Sequence, residues 1–196
     1  NLSNKKSIVV ANPNFNLFGK NSSNSRKKLS PKNLNKQKRS FDQKNRLWGS
    51  LPGTKKEADI ISKITNAKLF LENEASALNI QMEESPKILH IATHSFYIGD
   101  NKDDNLFSEN IFSNSITNNK RIENPLLRSG IVLAGANYPD KNLKDDGYLT
   151  ALEVSKLNWN GTELVVVSGC ESGQGDLQSG EGVYGLKRAI AVAGAR

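Results

Sequence analysis

Five short runs of mostly apolar residues constrain the fold of this 196-residue chain more than any other feature. Runs of this length that are bounded by turn residues or by helical patterns are typical of buried strands. Strands that are apolar along their whole length need cover on both faces, which is the pattern of a mostly parallel sheet. The sequence therefore predicts the α/β class, with strands at residues 7–11, 68–71, 87–93, 130–134 and 163–167.

Helical patterns lie between or after these runs, at residues 54–65, 75–84, 150–156 and 181–192. In the first of them, Glu57 follows Thr54 at the spacing of a capping box. Strands that alternate with helices predict a mostly parallel sheet with helices on both faces. A chain of this length fits one domain with its own core, so we expect a single domain over residues 1–196.

The net charge of +7 is confined to one part of the chain. Residues 1–50 carry 12 Lys or Arg and one acid, whereas residues 51–196 carry 15 bases and 19 acids. The stretch at about 20–46 holds too few apolar residues to offset the entropy of ordering, so we interpret it as a mobile, solvated, basic insertion. Binding of nucleic acid or of an acidic partner through residues 20–46 is the less favoured alternative.

Several classes of protein are excluded by composition. No apolar run approaches the roughly 20 residues that span a bilayer, so we expect no membrane partner and a soluble, cytoplasmic protein. Cys170 is the one cysteine, so there is no disulfide within the chain. Gly180 and Gly182 lack the rest of a phosphate-binding loop, and we expect no cofactor.

Two of the predicted strands lead into reactive side chains. His94 follows the run at 87–93, and Cys170 follows the run at 163–167 after two intervening residues. The carboxyl ends of parallel strands meet at one edge of a sheet, where sites form. An imidazole near a thiol takes its proton and holds the thiolate, which is the nucleophile. The sequence therefore predicts a histidine base and a cysteine nucleophile at neighbouring strand tips.

Both residues also have structural interpretations. Cysteine is among the most buried residue types, so Cys170 taken alone fits an inert core residue. His90 lies four residues before His94, on the same face of the predicted strand, which suggests a His–His–Cys metal site. Because no second cysteine is present and no acid separates the histidines, we favour His90 as a hydrogen-bonded core residue and expect no metal.

Several ordered motifs resemble those of the CHAT domain, a caspase-like domain often fused to tetratricopeptide repeats. They are HIATHS at residues 90–95, LLRSGIVLAGAN at 126–137, DGYLTALEV at 146–154, LVVVSGCESGQG at 164–175 and GEGVYGLKRA at 180–189. The resemblance covers roughly residues 7–196, except the basic insertion and a loop at 100–120. It implies a caspase-like fold, and because the family pattern continues further, we expect this fragment to lack the C-terminal strands of that fold.

The resemblance implies a cysteine endopeptidase of the caspase-like type. It assigns His94 and Cys170 as a catalytic dyad that hydrolyses peptide bonds of a protein substrate through a thioester. The backbone N–H groups of Ser95 and Cys170 would stabilise the oxyanion. Related peptidases usually carry Gly where this chain has Ser95, although the N–H group is retained.

Three further residues in the matched motifs are predicted to bind substrate. Ser168 occupies the position from which related peptidases often contact the P1 side chain, and as a neutral residue it selects no charge. Asp146, with its neighbour Asp145, and Glu181 would make the cleft acidic, which favours a basic P1 residue.

The resemblance also implies a regulator. Domains of this type are often controlled by tetratricopeptide repeats, so we expect such a module to be fused to this chain or to bind it. The alternative function is a catalytically silent caspase-like protein-interaction module that the same repeats regulate.

Overall fold

The structure is a computed structural model that describes residues 4–19, 47–97, 124–142, 144–169 and 179–196, with backbone alone for 179–183. The basic insertion predicted at 20–46, the loop predicted at 100–120 and Cys170 lie outside the described residues. The strands are Ile8–Pro13 (β1), Lys68–Glu72 (β2), Ile88–Ala92 (β3), Ser95–Tyr97 (β4), Ser129–Val132 (β5), Tyr148–Thr150 (β6) and Leu164–Ser168 (β7). The helices are Pro52–Thr65 (α1), Ala77–Gln81 (α2), Ala151–Val154 (α3) and Ser179–Val192 (α4), with short 3-10 turns at Pro125–Leu127 and Pro139–Lys141.

Four strands form a parallel sheet in the order β2-β1-β3-β7. The two inner strands, β1 and β3, are the most buried, and their apolar runs are nearly continuous because both faces are covered. The parallel sheet that the sequence predicts is therefore confirmed.

Helices cover the two faces of this sheet. On one face, Val9 and Ala11 of β1 pack against Ala58 of α1. On the other face, Val10 packs in a larger cluster that includes Leu186 of α4. Because alternate residues of a strand point to opposite faces, one β1 run supplies both layers of the core.

A second, antiparallel sheet joins the strands in the order β4-β5-β6. The run at 130–134, predicted as a strand of the parallel sheet, falls largely in β5 of this second sheet, and that assignment is wrong. A continuous apolar run shows that a strand is buried on both faces but does not show which neighbour it pairs with. The strands β4 and β6 have three residues each, too few to show a period of two, and sequence analysis missed them.

Helix starts were also predicted imperfectly. The helix α1 begins at Pro52 rather than Thr54, and proline is favoured there because its missing N–H group has no helical partner to lose. The Thr54 hydroxyl donates to the carbonyl of Leu51 and accepts from the N–H group of Asn12, so the capping box expected with Glu57 does not form. The helix predicted at 75–84 is shorter, at Ala77–Gln81.

The search for membrane-spanning helices gave a negative result in the described ranges. No helix there is both long enough and apolar enough to cross a bilayer.

Candidate functional site

The carboxyl ends of β3 and β7 lie side by side, as the sequence predicts. Ala92 pairs with Ser168 in the parallel ladder, and the next N–H group along β3, that of Thr93, donates to the Ser168 carbonyl at 3.1 Å. His94 and the sequence position of Cys170 each come two residues after this pair. The two strands that precede the predicted dyad are therefore neighbours and in register.

Gly169 brings the two strand ends into close approach. A Cβ atom at this position would overlap the carbonyl oxygen of Thr93 and would lie 3.6 Å from the Ser95 nitrogen. Only glycine fits without moving one of the backbones, because it has no Cβ atom. The residue before Cys170 in the sequence thus packs directly against the segment that carries His94.

The imidazole of His94 is half-buried between two aromatic rings. Its ring centroid lies 5.3 Å from that of Phe15 and 5.3 Å from that of Trp48, with both pairs tilted. Its Nε2 atom is 2.9 Å from the carbonyl oxygen of Gly49. A carbonyl oxygen only accepts hydrogen bonds, so Nε2 carries a hydrogen and, in the neutral ring, Nδ1 is the basic nitrogen.

A hydrogen-bond network holds the segment that contains Trp48 and Gly49. The N–H group of Trp48 donates to Asn137 Oδ1 at 2.7 Å, and Asn137 Nδ2 donates to the Trp48 carbonyl at 3.1 Å and to Asn16 Oδ1 at 2.8 Å. One amide side chain therefore fixes the backbone next to the carbonyl that orients His94. Sequence analysis missed Asn137, whose only signal was its place at the end of a matched motif.

Tyr148 holds the indole ring of Trp48 in place through a hydrogen bond. The Trp48 Nε1–H group donates to the Tyr148 hydroxyl at 2.9 Å, and that hydroxyl donates to the Ala136 carbonyl at 3.1 Å. Burial raises the pKa of Tyr148 to about 12, partly opposed by the hydrogen bond from Trp48. The hydroxyl thus keeps the proton that it donates to Ala136.

The N–H group of Ser95 points away from β5. Ser95 pairs with Ile131, and the N–H group of Val132 donates to the His94 carbonyl at 2.9 Å, which makes Ser95 and Ile131 a non-hydrogen-bonded pair. In such a pair the N–H groups face outward, and the nitrogen of Ser95 lies on the side of Gly169. This orientation suits the oxyanion donor that the sequence predicts.

The predicted substrate-binding residues are placed differently from one another. Ser168 is exposed at the end of β7. The Asp146 carboxylate accepts from the N–H group of Tyr148 at 2.9 Å, in the turn before β6, and no described contact joins it to His94. Burial raises the pKa of Asp146 to about 6, and the hydrogen bond from Tyr148 lowers it in part. The side chain of Glu181 lies outside the described residues.

His90 lies apart from this arrangement, on the face of β3 that α1 covers. Its Nε2 atom is 2.8 Å from Glu57 Oε1, and its side chain is almost fully buried. This is the hydrogen-bonded core histidine that sequence analysis favours. In the part of the chain that the structure describes, no group of three or more His, Cys, Asp or Glu side chains is arranged to hold a metal ion.

A four-stranded parallel sheet flanked by helices is an α/β architecture compatible with a caspase-like fold. The family model of the CHAT domain matches residues 1–196, and the chain belongs to this family. No curated protein and no solved structure matches the chain.

Proposed function

We propose that this CHAT domain is a cysteine endopeptidase that cleaves protein substrates with His94 and Cys170. The observation that carries the proposal is the pairing of β3 with β7, in which Ala92 lies opposite Ser168 and each predicted catalytic residue follows two positions later. The close contact of Gly169 with Thr93 supports the same pairing.

The hydrogen bond between His94 and Gly49 supports a general-base role for Nδ1. With Nε2–H held by the carbonyl, Nδ1 takes the proton of the Cys170 thiol. The thiolate attacks the carbonyl carbon of the scissile bond, His94 protonates the leaving nitrogen as the C–N bond breaks, and a thioester remains. Water then gives a proton to His94, its oxygen attacks the thioester, and the sulfur leaves and recovers the proton.

The outward-facing N–H group of Ser95 supports an oxyanion hole shared with the N–H group of Cys170. Both N–H groups would donate hydrogen bonds to the carbonyl oxygen that gains negative charge when the thiolate attacks. The loss of one such donor typically lowers the rate by about 10²–10³. Because the donor is a backbone group, the serine that replaces the usual glycine does not remove it.

Substrate and regulation belong to the same proposal. The exposure of Ser168 supports its contact with the P1 side chain, and Asp146 and Glu181 remain proposed acidic contacts for a basic P1 residue. We propose the cytoplasm as the compartment, because a catalytic thiol stays reduced there. A tetratricopeptide-repeat module, fused or bound, is the proposed regulator.

The test is the rate at which iodoacetamide labels Cys170, the one cysteine of the chain. We expect labelling near neutral pH to be faster than that of an unactivated peptide thiol, and His94→Ala to slow it by about tenfold or more. His90→Gln is the matched control, because His90 lies under α1, and it should label at the native rate. Labelling of the native chain no faster than a peptide thiol would overturn the peptidase and favour the silent interaction module.

A further inference from the structure

Two aromatic side chains from different parts of the chain pack against the imidazole of His94. Phe15 follows β1 by two residues, and Trp48 lies four residues before α1. The centroid of each ring is 5.3 Å from the centroid of the His94 ring, with interplanar angles of 38° for Phe15 and 37° for Trp48. We call Phe15 and Trp48 the aromatic clamp. A rotation of the imidazole about its Cβ–Cγ bond would bring it against one of these rings.

Both rings of the aromatic clamp are buried in the core. Phe15 is 2% exposed and Trp48 is 5% exposed, and both belong to the cluster that contains Phe96, Val132 and Tyr148. The hydrogen bond from Trp48 Nε1–H to the Tyr148 hydroxyl fixes the indole further. A side chain in a close-packed cluster holds its position, because a movement would open a void on one side and a clash on the other. The imidazole of His94 therefore lies against two fixed surfaces.

Asn137 joins the two halves of the aromatic clamp. Its backbone N–H group donates to the Phe15 carbonyl at 3.0 Å, and its side chain exchanges two hydrogen bonds with the backbone of Trp48, at 2.7 and 3.1 Å. The carbonyl of Gly49, which accepts from Nε2 of His94, is next along this backbone. The two rings and the acceptor of the His94 hydrogen bond are therefore held together as one unit.

The aromatic clamp also suits the charged form of His94. In the proposed mechanism the imidazole takes the thiol proton of Cys170 and becomes a cation. A cation within about 6 Å of an aromatic centroid is attracted by the π electrons of the ring, and both rings meet this distance. His94 is only half-buried, so the two rings remove part of its hydration and not all of it. We expect the attraction of two rings to outweigh this partial loss of hydration.

The titratable groups that face the aromatic clamp are Tyr148 and Asp146. The Tyr148 hydroxyl accepts from Trp48, and the Asp146 carboxylate accepts from the N–H group of Tyr148. Neither forms a described hydrogen bond or ion pair with His94, and no ion pair within the described ranges includes His94. Among the described residues, the aromatic clamp and the Gly49 carbonyl are therefore the groups that act on the imidazolium.

We propose that Phe15 and Trp48 are positioning residues of the candidate active site, which hold the His94 ring with Nδ1 free for the Cys170 proton and stabilise the resulting imidazolium. Without the aromatic clamp, the imidazole rotates away from the Gly49 carbonyl and its cation loses two favourable contacts. Both residues act through His94 and contact neither the thiol nor the substrate. This inference rests on the proposed function, since it names the residues that set the reactivity of the proposed base.

The first test compares substitutions that remove an aromatic face with one that keeps it. Phe15→Leu and Trp48→Leu replace a ring with an apolar side chain. Trp48→Phe keeps a ring and loses the same Nε1–H hydrogen bond as Trp48→Leu. We expect both leucine variants to slow iodoacetamide labelling of Cys170 by about 2- to 5-fold and to raise the pH of half-maximal labelling by about 0.5. Trp48→Phe should recover most of both changes.

Phe70→Leu is the matched control for a loss of packing. Phe70 is 6% exposed and belongs to a different core cluster from the aromatic clamp. Its replacement should lower the free energy of unfolding to a similar degree, and should leave the labelling rate and the pH of half-maximal labelling at their native values. The inference is overturned if Phe70→Leu slows labelling as much as Phe15→Leu does, or if Trp48→Phe behaves as Trp48→Leu does.

The second test measures His94 directly, by long-range proton–nitrogen NMR of the ring nitrogens in a chain labelled with 15N-histidine. The chain has two histidines, so His94→Gln assigns the signals and His90 serves as an internal reference. Neutral His94 should carry its hydrogen on Nε2 in the native chain. Signals of the other tautomer should grow in Phe15→Leu and Trp48→Leu but not in Phe70→Leu. Native tautomer signals in both leucine variants of the aromatic clamp would overturn the inference.

The two readouts separate this inference from the peptidase. A tautomer change in the leucine variants, together with native labelling no faster than that of a peptide thiol, overturns the peptidase and leaves the aromatic clamp standing as the support of His94. Fast native labelling that neither leucine variant slows, together with an unchanged tautomer, overturns the inference and leaves the peptidase standing.

Discussion

The Nε2 atom of His94 lies 2.9 Å from the carbonyl oxygen of Gly49, a residue 45 positions earlier in the chain. This bond selects the ring nitrogen that is free to act as a base, since a carbonyl accepts but does not donate. The backbone that supplies the carbonyl is itself held by Asn137. The proposed base is therefore oriented by residues from two distant parts of the sequence, the segment that contains Gly49 and Asn137.

Replacing Asn137 with alanine should alter the orientation of His94, although Asn137 acts on it only through the backbone at Trp48 and Gly49. The variant leaves the Trp48 N–H group without its acceptor and frees the segment that carries Gly49. We expect iodoacetamide labelling of Cys170 to slow by about 10- to 100-fold and the pH midpoint of labelling to move. Asn142→Ala, which removes an exposed hydrogen bond to Lys144, should change neither quantity. An unchanged pH midpoint in Asn137→Ala would show that Asn137 does not position the base.

Gly169→Ala should separate the two strand ends. The added Cβ atom overlaps the Thr93 carbonyl, so β3 and β7 must move apart. We expect urea denaturation to show a loss of about 1–3 kcal/mol in the free energy of unfolding, and labelling of Cys170 to slow by about tenfold. Gly53→Ala is the control, because a Cβ atom there meets nothing within 4 Å. Native stability in the Gly169 variant would contradict the close approach.

Asp146→Asn should stabilise the protein at neutral pH. Burial raises the carboxyl pKa from 3.8 to about 6, so the folded state holds a proton that the unfolded state has released between these values. The contribution of Asp146 to the free energy of unfolding is full below pH 4 and falls as the pH rises to 6. Between pH 4 and pH 6, the free energy of unfolding of the variant should rise by about 1–3 kcal/mol relative to that of the native chain. Above pH 6 this difference should stay constant, as measured by urea denaturation at each pH. A difference that does not vary with pH would contradict this ionisation.

Glu57→Ala should affect stability and leave the proposed chemistry intact. It removes the partner of buried His90, and a buried polar group without a partner costs about 1–3 kcal/mol. Glu57→Gln keeps a hydrogen-bonding oxygen and should recover part of the loss. Labelling of Cys170, measured on the folded fraction, should match the native rate in both variants. A slower rate would show that His90 is coupled to the active site.

Much of the parallel sheet could be predicted because its signal is local. The run at 87–93 contains β3, and the run at 163–167 includes all of β7 except Ser168. Each strand is apolar along its length because both of its faces contact core residues, and this pattern can be recognised from consecutive residues of the sequence. The predicted ends of these strands also indicated that the segments preceding His94 and Cys170 lie close together.

The second sheet and the support of His94 could not be predicted in the same way. The strands β4 and β6 are too short to show a period, and β5 has the composition of a parallel strand although its neighbours are antiparallel. Trp48 packs against His94 with tilted rings, and nothing in the sequence around Trp48 indicates this contact. Its partners Asn137 and Tyr148 come from a distant turn and strand.

By itself, the sequence determined the class of fold, the buried strands and the two reactive side chains that follow them, because hydrophobic periodicity and residue chemistry act over a few neighbouring positions. Only the tertiary structure decided which sheet each described strand joins and which nitrogen of His94 carries the hydrogen bonded to Gly49. These properties depend on contacts between segments that lie as much as 121 residues apart, where the partners are chosen by packing and hydrogen bonding rather than by local pattern.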